Sequence, residues 1–243
     1  MTPRSAFNFL WTTGATGVWS VIGVTGQIPR KDPERFQRHT RAWARTVAAG
    51  IGLEVQAYGT WRLDPEGTYV LMANHQSHVD IPSLFLALPM VPGFLAKAEL
   101  RKVPLFGRAM EVGGHVFVDR AQHGRAIEAI RAAAADVSEG TSIVVFPEGT
   151  RSSVREVLPF KKGGFHLARQ AGVSIVPVGI RGTADLLPKG SKQLLPGVAE
   201  VHVGEPLDVA TVTGLELPEL MREVRARICE LAALPPAADR SNA

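Results

Sequence analysis

Short apolar runs alternate with longer amphipathic stretches between residues 50 and 234. Apolar runs bounded by turn-forming residues predict six buried strands: Tyr69–Ala73, Phe94–Ala96, His115–Val118, Ser142–Phe146, Ser174–Ile180 and Val198–Val203. Apolar residues that recur every three or four positions predict four helices: Ile81–Leu88, Gly124–Glu139, Gly163–Ala171 and Leu217–Leu234. This alternation predicts an α/β fold, with one mixed, largely parallel sheet covered by helices.

The first 50 residues have a different pattern. No residue between Ser5 and Pro29 is charged, although four glycines and four threonines dilute the apolar character of this segment. A basic amphipathic helix is predicted next, with apolar positions on one face: Phe36, Trp43, Val47 and Ile51. We therefore predict three parts: an N-terminal helical membrane anchor (1–50), a folded α/β body (51–234) and a flexible tail (235–243). A soluble helical hairpin packed on the body is the alternative to the anchor.

The charge distribution supports a membrane-facing N-terminal end. The 243-residue chain has a net charge of +4, but residues 1–63 contain eight basic and three acidic residues and the remainder has a net charge of −1. All four tryptophans also lie in residues 1–63. Basic and tryptophan-rich segments favour an anionic membrane surface, and the positive-inside rule places this one on the cytoplasmic face. Whether residues 5–29 span the bilayer or lie in it stays open at this point.

Composition and missing motifs exclude several classes of protein. A hydrophobic content of 45% excludes wholesale disorder, and the single cysteine, Cys229, excludes a disulfide scaffold. The sequence contains no G-x-S-x-G elbow, no phosphate-binding P-loop and no G-x-G-x-x-G fingerprint. It also lacks an H-E-x-x-H motif and any His/Cys cluster, so we expect no metal.

The segment Asn74–Asp80, of sequence NHQSHVD, follows a predicted strand and contains candidate catalytic residues. If His75 lies in the turn and Asp80 in the first helical turn, the carboxylate can hold one imidazole nitrogen while the other accepts a proton. In the alternative interpretation, Ser77 and Asp80 form a capping box and Asp80 only caps the helix.

Three further segments place charged residues at the ends of strands or the start of a helix. The sequence FPEGTRS (146–152) follows the most apolar strand, and its Arg151 can bind a phosphate in bidentate fashion. The sequence GHVFVDR (114–120) ends in Arg120, a second candidate phosphate ligand. The sequence FKKGG (160–164) places lysines at a predicted helix start, which suits an anion. Taken singly, each is also compatible with a solvated turn or a surface ion pair.

Taken together, these motifs resemble those of the glycerolipid acyltransferase family, which includes the 1-acyl-sn-glycerol-3-phosphate acyltransferases. The resemblance rests on the NHxxxxD and FPEGTRS motifs, on a G-x-x-F-x-D-R block (Gly114–Arg120) and on the V-P-V strand (Val176–Val178). It covers residues 50–205, about two thirds of the chain. Val118 stands where isoleucine is common in the family, which is a conservative difference.

The resemblance implies a reaction and a set of roles. The family transfers an acyl chain from acyl-CoA or acyl-carrier protein to a glycerolipid hydroxyl, here the sn-2 hydroxyl of 1-acyl-glycerol-3-phosphate, and gives phosphatidic acid with no cofactor beyond the acyl donor. His75 would be the general base and Asp80 its orienting partner. The residues expected to bind the acceptor, lysophosphatidic acid, are Glu148, Gly149, Thr150, Arg151, Arg120 and Lys162. Another lysolipid acceptor, such as a lyso-ornithine lipid or a lysophospholipid, and a non-enzymatic lipid-binding membrane protein are the alternatives.

Overall fold

The computed structural model describes residues 2–26, 32–119 and 123–238. Within these ranges seven strands form one sheet: β1 (Leu53–Tyr58), β2 (Tyr69–Ala73), β3 (Gly93–Lys97), β4 (Val116–Val118), β5 (Ile143–Val145), β6 (Ser174–Arg181) and β7 (Gly197–Val203). The strand order is β1-β7-β6-β2-β5-β3-β4, and β6 and β7 form the antiparallel pair. The predicted mixed, largely parallel sheet is therefore confirmed.

Helices cover the sheet, and their bounds in the described residues are α1 (Pro3–Thr25), α2 (Pro33–Ile51), α3 (Asp80–Ala87), α4 (Phe106–Val112), α5 (His123–Ser138), α6 (Gly163–Ala171), α7 (Thr183–Leu186), α8 (Val209–Gly214) and α9 (Leu217–Ala232). Two 3₁₀ turns lie at Thr60–Arg62 and Ala98–Lys102. The four helices predicted for the body are present within one or two residues of their predicted bounds. The exposed edge strand β1 and the short helices α4, α7 and α8 were not predicted.

The two faces of the sheet bury separate apolar cores. Alternate residues of β2 point to opposite faces, which explains why nearly every position of this central strand is buried. One face packs Leu71 and Ala73 against residues of α2 and α3, including Ala44 and Leu84. The other face packs Val70 and Met72 against residues of α5, α6 and α9. The predicted active-site loops therefore leave the sheet between two fully packed layers.

The N-terminal helices pack on each other and on the body. Trp11 donates a hydrogen bond to the Thr46 carbonyl (3.0 Å), and the Trp43 indole donates to the Thr16 hydroxyl (3.1 Å). Helix α2 also contributes Phe36 and Ala44 to the core of the body. The segment predicted as an anchor thus forms part of the folded unit. Helix α2 is the predicted basic amphipathic helix, and its packing on α1 and on the body is what the hairpin alternative predicted.

Helix α1 presents an apolar outer surface. Its exposed large hydrophobic residues are Phe7, Phe9, Leu10, Trp11, Val18, Val21 and Ile22. Within the described residues, no helix combines the length and the apolar character that crossing a bilayer would need.

The start of the predicted flexible tail is ordered against the body. The Val157 amide donates to the Pro235 carbonyl, and the Ala237 amide donates to the Val157 carbonyl, both at 2.9 Å. Arg225 of α9 adds a hydrogen bond to the Ala237 carbonyl at 2.7 Å. These contacts use backbone groups of the tail, so the side chains of its Pro- and Ala-rich sequence could not predict them. Residues 239–243 lie outside the described part of the chain.

Candidate active site

A cavity of about 390 Å³ opens at the carboxyl ends of the parallel strands. Its floor and walls are mostly apolar side chains from the sheet and from α1 to α4, including Trp19, Phe36, Trp43, Phe85 and Phe94. At one end it meets the loops that carry the two motifs of highest specificity, NHQSHVD and FPEGTRS. In α/β sheets this edge is where ligands bind.

His75 and Asp80 come together at this end of the cavity. The His75 Nδ1 lies 2.7 Å from Asp80 Oδ2, His75 sits in the loop after β2, and Asp80 is the first residue of α3. Asp80 is completely buried, whereas the His75 ring retains some exposure and lines the cavity. The geometry is the one that the sequence predicted.

The Asp80 carboxylate is fixed by three further hydrogen bonds. Its Oδ2 accepts from the Gln76 and Ser77 amides at 2.9 and 3.0 Å, and its Oδ1 accepts from the Thr183 hydroxyl at 2.5 Å. Because the Asp80 oxygens accept from three other donors, the carboxylate also acts as the acceptor towards His75, so the His75 Nδ1 donates to it and Nε2 is left to accept a proton. Asp80 therefore holds the turn before α3 and orients His75. The alternative, in which Asp80 only caps the helix through a capping box with Ser77, is wrong, because the Ser77 hydroxyl accepts from the Val79 amide and donates to the Leu187 carbonyl.

Thr183 is a site residue that the sequence analysis missed. It begins α7, two residues after β6 ends, and its hydroxyl is buried against Asp80. Strand β6 lies beside β2, so the ends of the two strands deliver Thr183 and the His75 loop to the same place. The signal available in the sequence was a hydroxyl residue shortly after a predicted buried strand, which is a common and weak pattern.

Glu148 takes a different position from the one expected for a residue that binds the acceptor. Its Oε1 accepts from the His75 amide at 2.7 Å, and its Oε2 accepts from the Leu158 amide at 2.9 Å. The side chain is buried, and burial raises its pKa to about 7. Both Glu148 oxygens therefore accept from backbone amides, and the bond to the His75 amide connects the FPEGTRS loop to the NHQSHVD loop.

Phe146 supports the imidazole from one face. The two rings stack with centroids 3.9 Å apart and an angle of 13° between their planes. The backbone of His75 is also held, because the Ser152 amide donates to its carbonyl at 2.7 Å. Ring stacking of this kind contributes about 0.5–1.5 kcal/mol beyond area burial, so the ring orientation is set before any ligand binds.

The next three residues of the FPEGTRS motif lie at the cavity. Gly149, Thr150 and Arg151 all line it, beside His75. Gly149 has a φ of +73°, a conformation that glycine adopts without strain and that turns the chain back along the sheet edge. The guanidinium of Arg151 is partly exposed there, as a ligand for an anion must be.

Of the other two predicted phosphate ligands, only Lys162 lies within the described residues, and it is not brought to the cavity. Lys162 is exposed at the start of α6, whose helix packs on the opposite face of the sheet from the cavity, and it does not line the cavity. The physical reason is that the long loop after β5 crosses the sheet edge before α6 begins. Arg120 lies outside the described residues.

His78, the second histidine of the NHQSHVD motif, also lines the cavity, and the sequence analysis did not select it. Burial lowers its pKa to about 4, and the nearby charge of Arg151 acts in the same direction. His78 is therefore neutral at physiological pH. The motif contained two histidines, and only the pairing of His75 with Asp80 distinguishes their roles.

Comparison with known proteins links this geometry to one family. The model of the family described as Acyltransferase matches residues 54–181, which is just over half of the chain. The chain is 35% identical over 177 residues to human 1-acyl-sn-glycerol-3-phosphate acyltransferase alpha, covering 72% of this chain and 62% of that protein. It is 34% identical over 193 residues to 1-acyl-sn-glycerol-3-phosphate acyltransferase of Saccharomyces cerevisiae, covering 78% and 63%. The chain thus spans about three fifths of the length of these relatives.

A solved structure shares the fold over nearly the whole chain. The crystal structure of the 1-acyl-sn-glycerophosphate (LPA) acyltransferase PlsC from Thermotoga maritima superposes with a TM-score of 0.82 at 26% identity. The match covers 95% of this chain and 93% of that one. The matched region therefore includes the N-terminal helices as well as the sheet.

Proposed function

Because the chain belongs to the acyltransferase family, we propose that it transfers a fatty acyl chain from acyl-CoA or acyl-carrier protein to the sn-2 hydroxyl of 1-acyl-glycerol-3-phosphate, giving phosphatidic acid. The observation that carries this proposal is the His75–Asp80 pair, 2.7 Å apart, at the end of a large apolar cavity. The named relatives act on this kind of acceptor. The acyl donor is the co-substrate, and the proposal includes no other cofactor.

The His75–Asp80 pair supports direct transfer by general-base catalysis. His75 Nε2 takes the proton of the acceptor hydroxyl as its oxygen attacks the thioester carbonyl carbon. The carbon–sulfur bond then breaks, and the thiolate takes the proton back from the imidazolium. Asp80 stabilises the positive charge of the imidazolium in between. General-base catalysis of this kind contributes about 10²–10⁴-fold in rate, with positioning of the reactants supplying much of the rest.

The Gly149–Arg151 turn is suited to the phosphate of the acceptor. The Arg151 guanidinium can bind two phosphate oxygens at once, and the Thr150 hydroxyl lies next to it along the cavity wall. Glu148 contributes by holding the His75 loop through its two backbone hydrogen bonds. Arg120 stays a proposal as an additional phosphate ligand, whereas the position of Lys162 on the other face of the sheet argues against the same role for it.

The apolar cavity is suited to the acyl chain. Aromatic side chains from four helices and from the sheet line it, and an acyl chain buried there is removed from water at roughly 0.8 kcal/mol per methylene. The residues of the two motifs that line it, among them His75, Thr150 and Arg151, follow the neighbouring strands β2 and β5. A thioester with its chain in the cavity would therefore present its carbonyl to the base.

The proposal includes a membrane location, on the cytoplasmic face and through residues 1–50. The exposed apolar side chains of α1 form a surface that suits the interfacial region of a bilayer, and the basic residues of α2 suit anionic headgroups. A lysolipid acceptor resides in the same interface. Monotopic attachment would therefore bring the cavity to its substrate.

An acceptor panel tests the proposed function. The purified chain is incubated with labelled acyl-CoA or acyl-carrier protein and with lysophosphatidic acid, lysophosphatidylcholine or lyso-ornithine lipid, and the products are identified. We expect labelled phosphatidic acid from lysophosphatidic acid. Acylation of the other lysolipids alone would overturn the choice of acceptor, and the absence of any acylated product would overturn the proposed reaction.

Arg151→Gln tests the phosphate site in the same assay. Because the guanidinium binds the acceptor before and during the reaction, we expect the KM for lysophosphatidic acid to rise about tenfold or more, with a smaller change in kcat. Arg155→Gln, an exposed arginine four residues away, serves as the matched control. An unchanged KM in Arg151→Gln would remove this residue from the phosphate site.

A further inference from the structure

Residues 99–105 form a stretch of seven consecutive exposed residues beside the cavity. Three of them are large and apolar: Leu100, Val103 and Leu105, with exposed fractions of 38%, 44% and 50%. Soluble surfaces usually scatter such residues singly, whereas apolar residues clustered on one short loop indicate a binding surface. We call residues 100–105 the apolar loop.

The backbone of the apolar loop is ordered and strained at its tip. The Phe106 amide donates to the Pro104 carbonyl at 2.6 Å, which closes a γ-turn with Leu105 at its centre, at φ 62° and ψ −51°. This type of γ-turn is rare, and glycine would adopt it without strain. Leu105 has a strained backbone and a half-exposed side chain, so it contributes little to the stability of the fold. This indicates that the side chain contacts a binding partner.

The charges around the apolar loop are predominantly positive. Residues 97–111 contain four basic residues, Lys97, Arg101, Lys102 and Arg108, against two acidic residues, Glu99 and Glu111. The acidic residues pair with Lys97, Arg101 and Arg108. The segment keeps a net charge of +2, and Lys102 is exposed next to Val103. Apolar side chains next to basic ones match a lipid surface with anionic headgroups.

The position of the apolar loop also favours a lipid surface over a protein partner. Leu100 and Phe106 line the same cavity as His75, so the loop borders the entrance to the site. Helix α4 begins directly after the loop and packs against α1, whose outer surface is apolar. A bilayer that contacts the outer surface of α1 would therefore also contact the apolar loop, and lipid could enter the cavity from the bilayer there.

We propose that the apolar loop is a second membrane-contacting element, in addition to the N-terminal helices. Val103 and Leu105 insert among the lipid chains, and Arg101 and Lys102 lie at the level of the phosphates. The loop thereby holds the cavity entrance at the bilayer. This inference rests on the proposed function only in that the substrate is a lipid drawn from the membrane.

Binding of the full chain to vesicles tests the proposal. The vesicles contain phosphatidylcholine with 30% phosphatidylglycerol, and bound protein is measured by co-sedimentation. The test variant is Val103→Ser/Leu105→Gly, in which glycine suits the backbone at position 105 and preserves the fold. The variant removes two apolar side chains that would be partly buried in the lipid, so binding to the vesicles should weaken about tenfold or more. Trp61→Gln is the matched control, because Trp61 is 78% exposed but follows β1, which ends at the opposite edge of the sheet.

The outcomes of the vesicle experiment are distinct. Weaker binding of the double variant, with the control unchanged and thermal stability retained, supports the proposal. Equal binding of wild type and double variant overturns it, as would an equal loss of binding in Trp61→Gln, since that would show unspecific adhesion. A separate variant, Arg101→Gln/Lys102→Gln, tests the basic residues: binding to the mixed vesicles that equalled the wild-type value would overturn the part assigned to Arg101 and Lys102.

An activity measurement separates this proposal from the proposed function. With short-chain, water-soluble acceptor and donor, wild type and double variant should react equally, because neither Val103 nor Leu105 lines the cavity. With the acceptor embedded in vesicles, the double variant should be about tenfold slower. If the wild type transferred no acyl group in the soluble assay, the proposed function would fail, while the vesicle-binding comparison would still decide the role of the loop.

Discussion

His75 is held at four points before any substrate binds. Its ring contacts Asp80 and Phe146, its amide donates to Glu148, and its carbonyl accepts from the Ser152 amide. The sequence predicted the Asp80 contact, because the spacing places the aspartate in the first turn of a helix after the histidine loop. The contacts with Glu148 and Ser152 could not be predicted by spacing, since they depend on β2 and β5 being neighbours in the sheet.

Thr183→Val should weaken catalysis without weakening substrate binding. The variant removes the hydroxyl that donates to Asp80 Oδ1 and leaves the shape of the side chain nearly unchanged. A hydrogen bond to a charged group contributes about 1.5–3 kcal/mol, so we expect kcat to fall about tenfold or more, with the KM values for donor and acceptor nearly unchanged.

Thr183→Ser is the matched control for this prediction. It restores the hydroxyl, and kcat should return towards the wild-type value. If kcat were equal in the valine and serine variants, the hydroxyl would have no part in orienting Asp80. Steady-state kinetics together with thermal unfolding distinguish this role from a loss of folded protein.

The buried carboxyl of Glu148 should make stability depend on pH. Burial raises its pKa from 4.5 to about 7 in the folded chain. Ionisation is therefore easier in the unfolded chain, and the contribution of Glu148 to stability is complete below pH 4.5 and is lost as the pH rises to 7. Relative to Glu148→Gln, the wild-type free energy of unfolding should fall over this range by up to about 3 kcal/mol and then become constant.

Denaturant unfolding at a series of pH values checks the Glu148 prediction. Glu219→Gln, a change at an exposed position of α9, is the control for general effects of removing a carboxylate. A difference between wild type and Glu148→Gln that stayed constant from pH 4 to pH 8 would contradict the raised pKa.

At the scale of elements, the buried strands were the most predictable part of the fold. Strands β2 and β6 lie between two layers and therefore consist of continuous apolar residues, which the sequence shows directly. Strand β1 was missed because the predicted strands were all apolar runs, whereas in this edge strand Glu54 and Gln56 alternate with apolar residues, which is the pattern of a half-buried strand. Helix α4 was missed because its seven residues are too few to show a helical period.

The role of the N-terminal helices as walls of the cavity could not be predicted from the sequence. The charge-free segment and the basic helix predicted an interfacial element from composition alone. The structure adds that Trp19 of α1 and Phe36 of α2 line the cavity that ends at His75. This arrangement depends on contacts between distant segments, such as the hydrogen bond from Asn8 to the Leu194 carbonyl.

On the scale of the whole molecule, charge and apolar surface are concentrated where the cavity opens. Helices α1 and α2, which line part of the cavity, carry five basic residues and one acidic residue, and α1 packs against α4, which follows the loop at residues 100–105. The average charge of +4 concealed this polarity. The fold therefore combines the proposed catalytic base, an apolar cavity and an apolar, basic exterior on one side.

Reducing the length of the cavity should change the choice of acyl donor. Ala109 of α4 lines the cavity, and Ala109→Phe would fill part of it with a phenyl ring. Because a long acyl chain would then leave methylenes in water, at about 0.8 kcal/mol each, we expect the preference to shift towards shorter acyl donors. Competition between acyl-CoA substrates of different length measures the shift.

The matched comparison for Ala109→Phe is Ala109→Val, a smaller enlargement at the same position. The shift in preference should be smaller in this variant, in proportion to the volume added. An unchanged ratio of long to short donors in Ala109→Phe, in a variant that keeps its fold, would show that the acyl chain binds elsewhere.

The rate of acyl transfer in His75→Ala tests the account most directly. The measurement uses labelled acyl donor and lysophosphatidic acid, with His166→Ala, a change at an exposed histidine of α6, as the control. Loss of the general base should lower kcat by about 10²–10⁴-fold, with the fold and the KM for the acceptor largely retained, while the control stays close to wild type. A kcat in His75→Ala within a few-fold of wild type would contradict the assignment of His75 as the catalytic base.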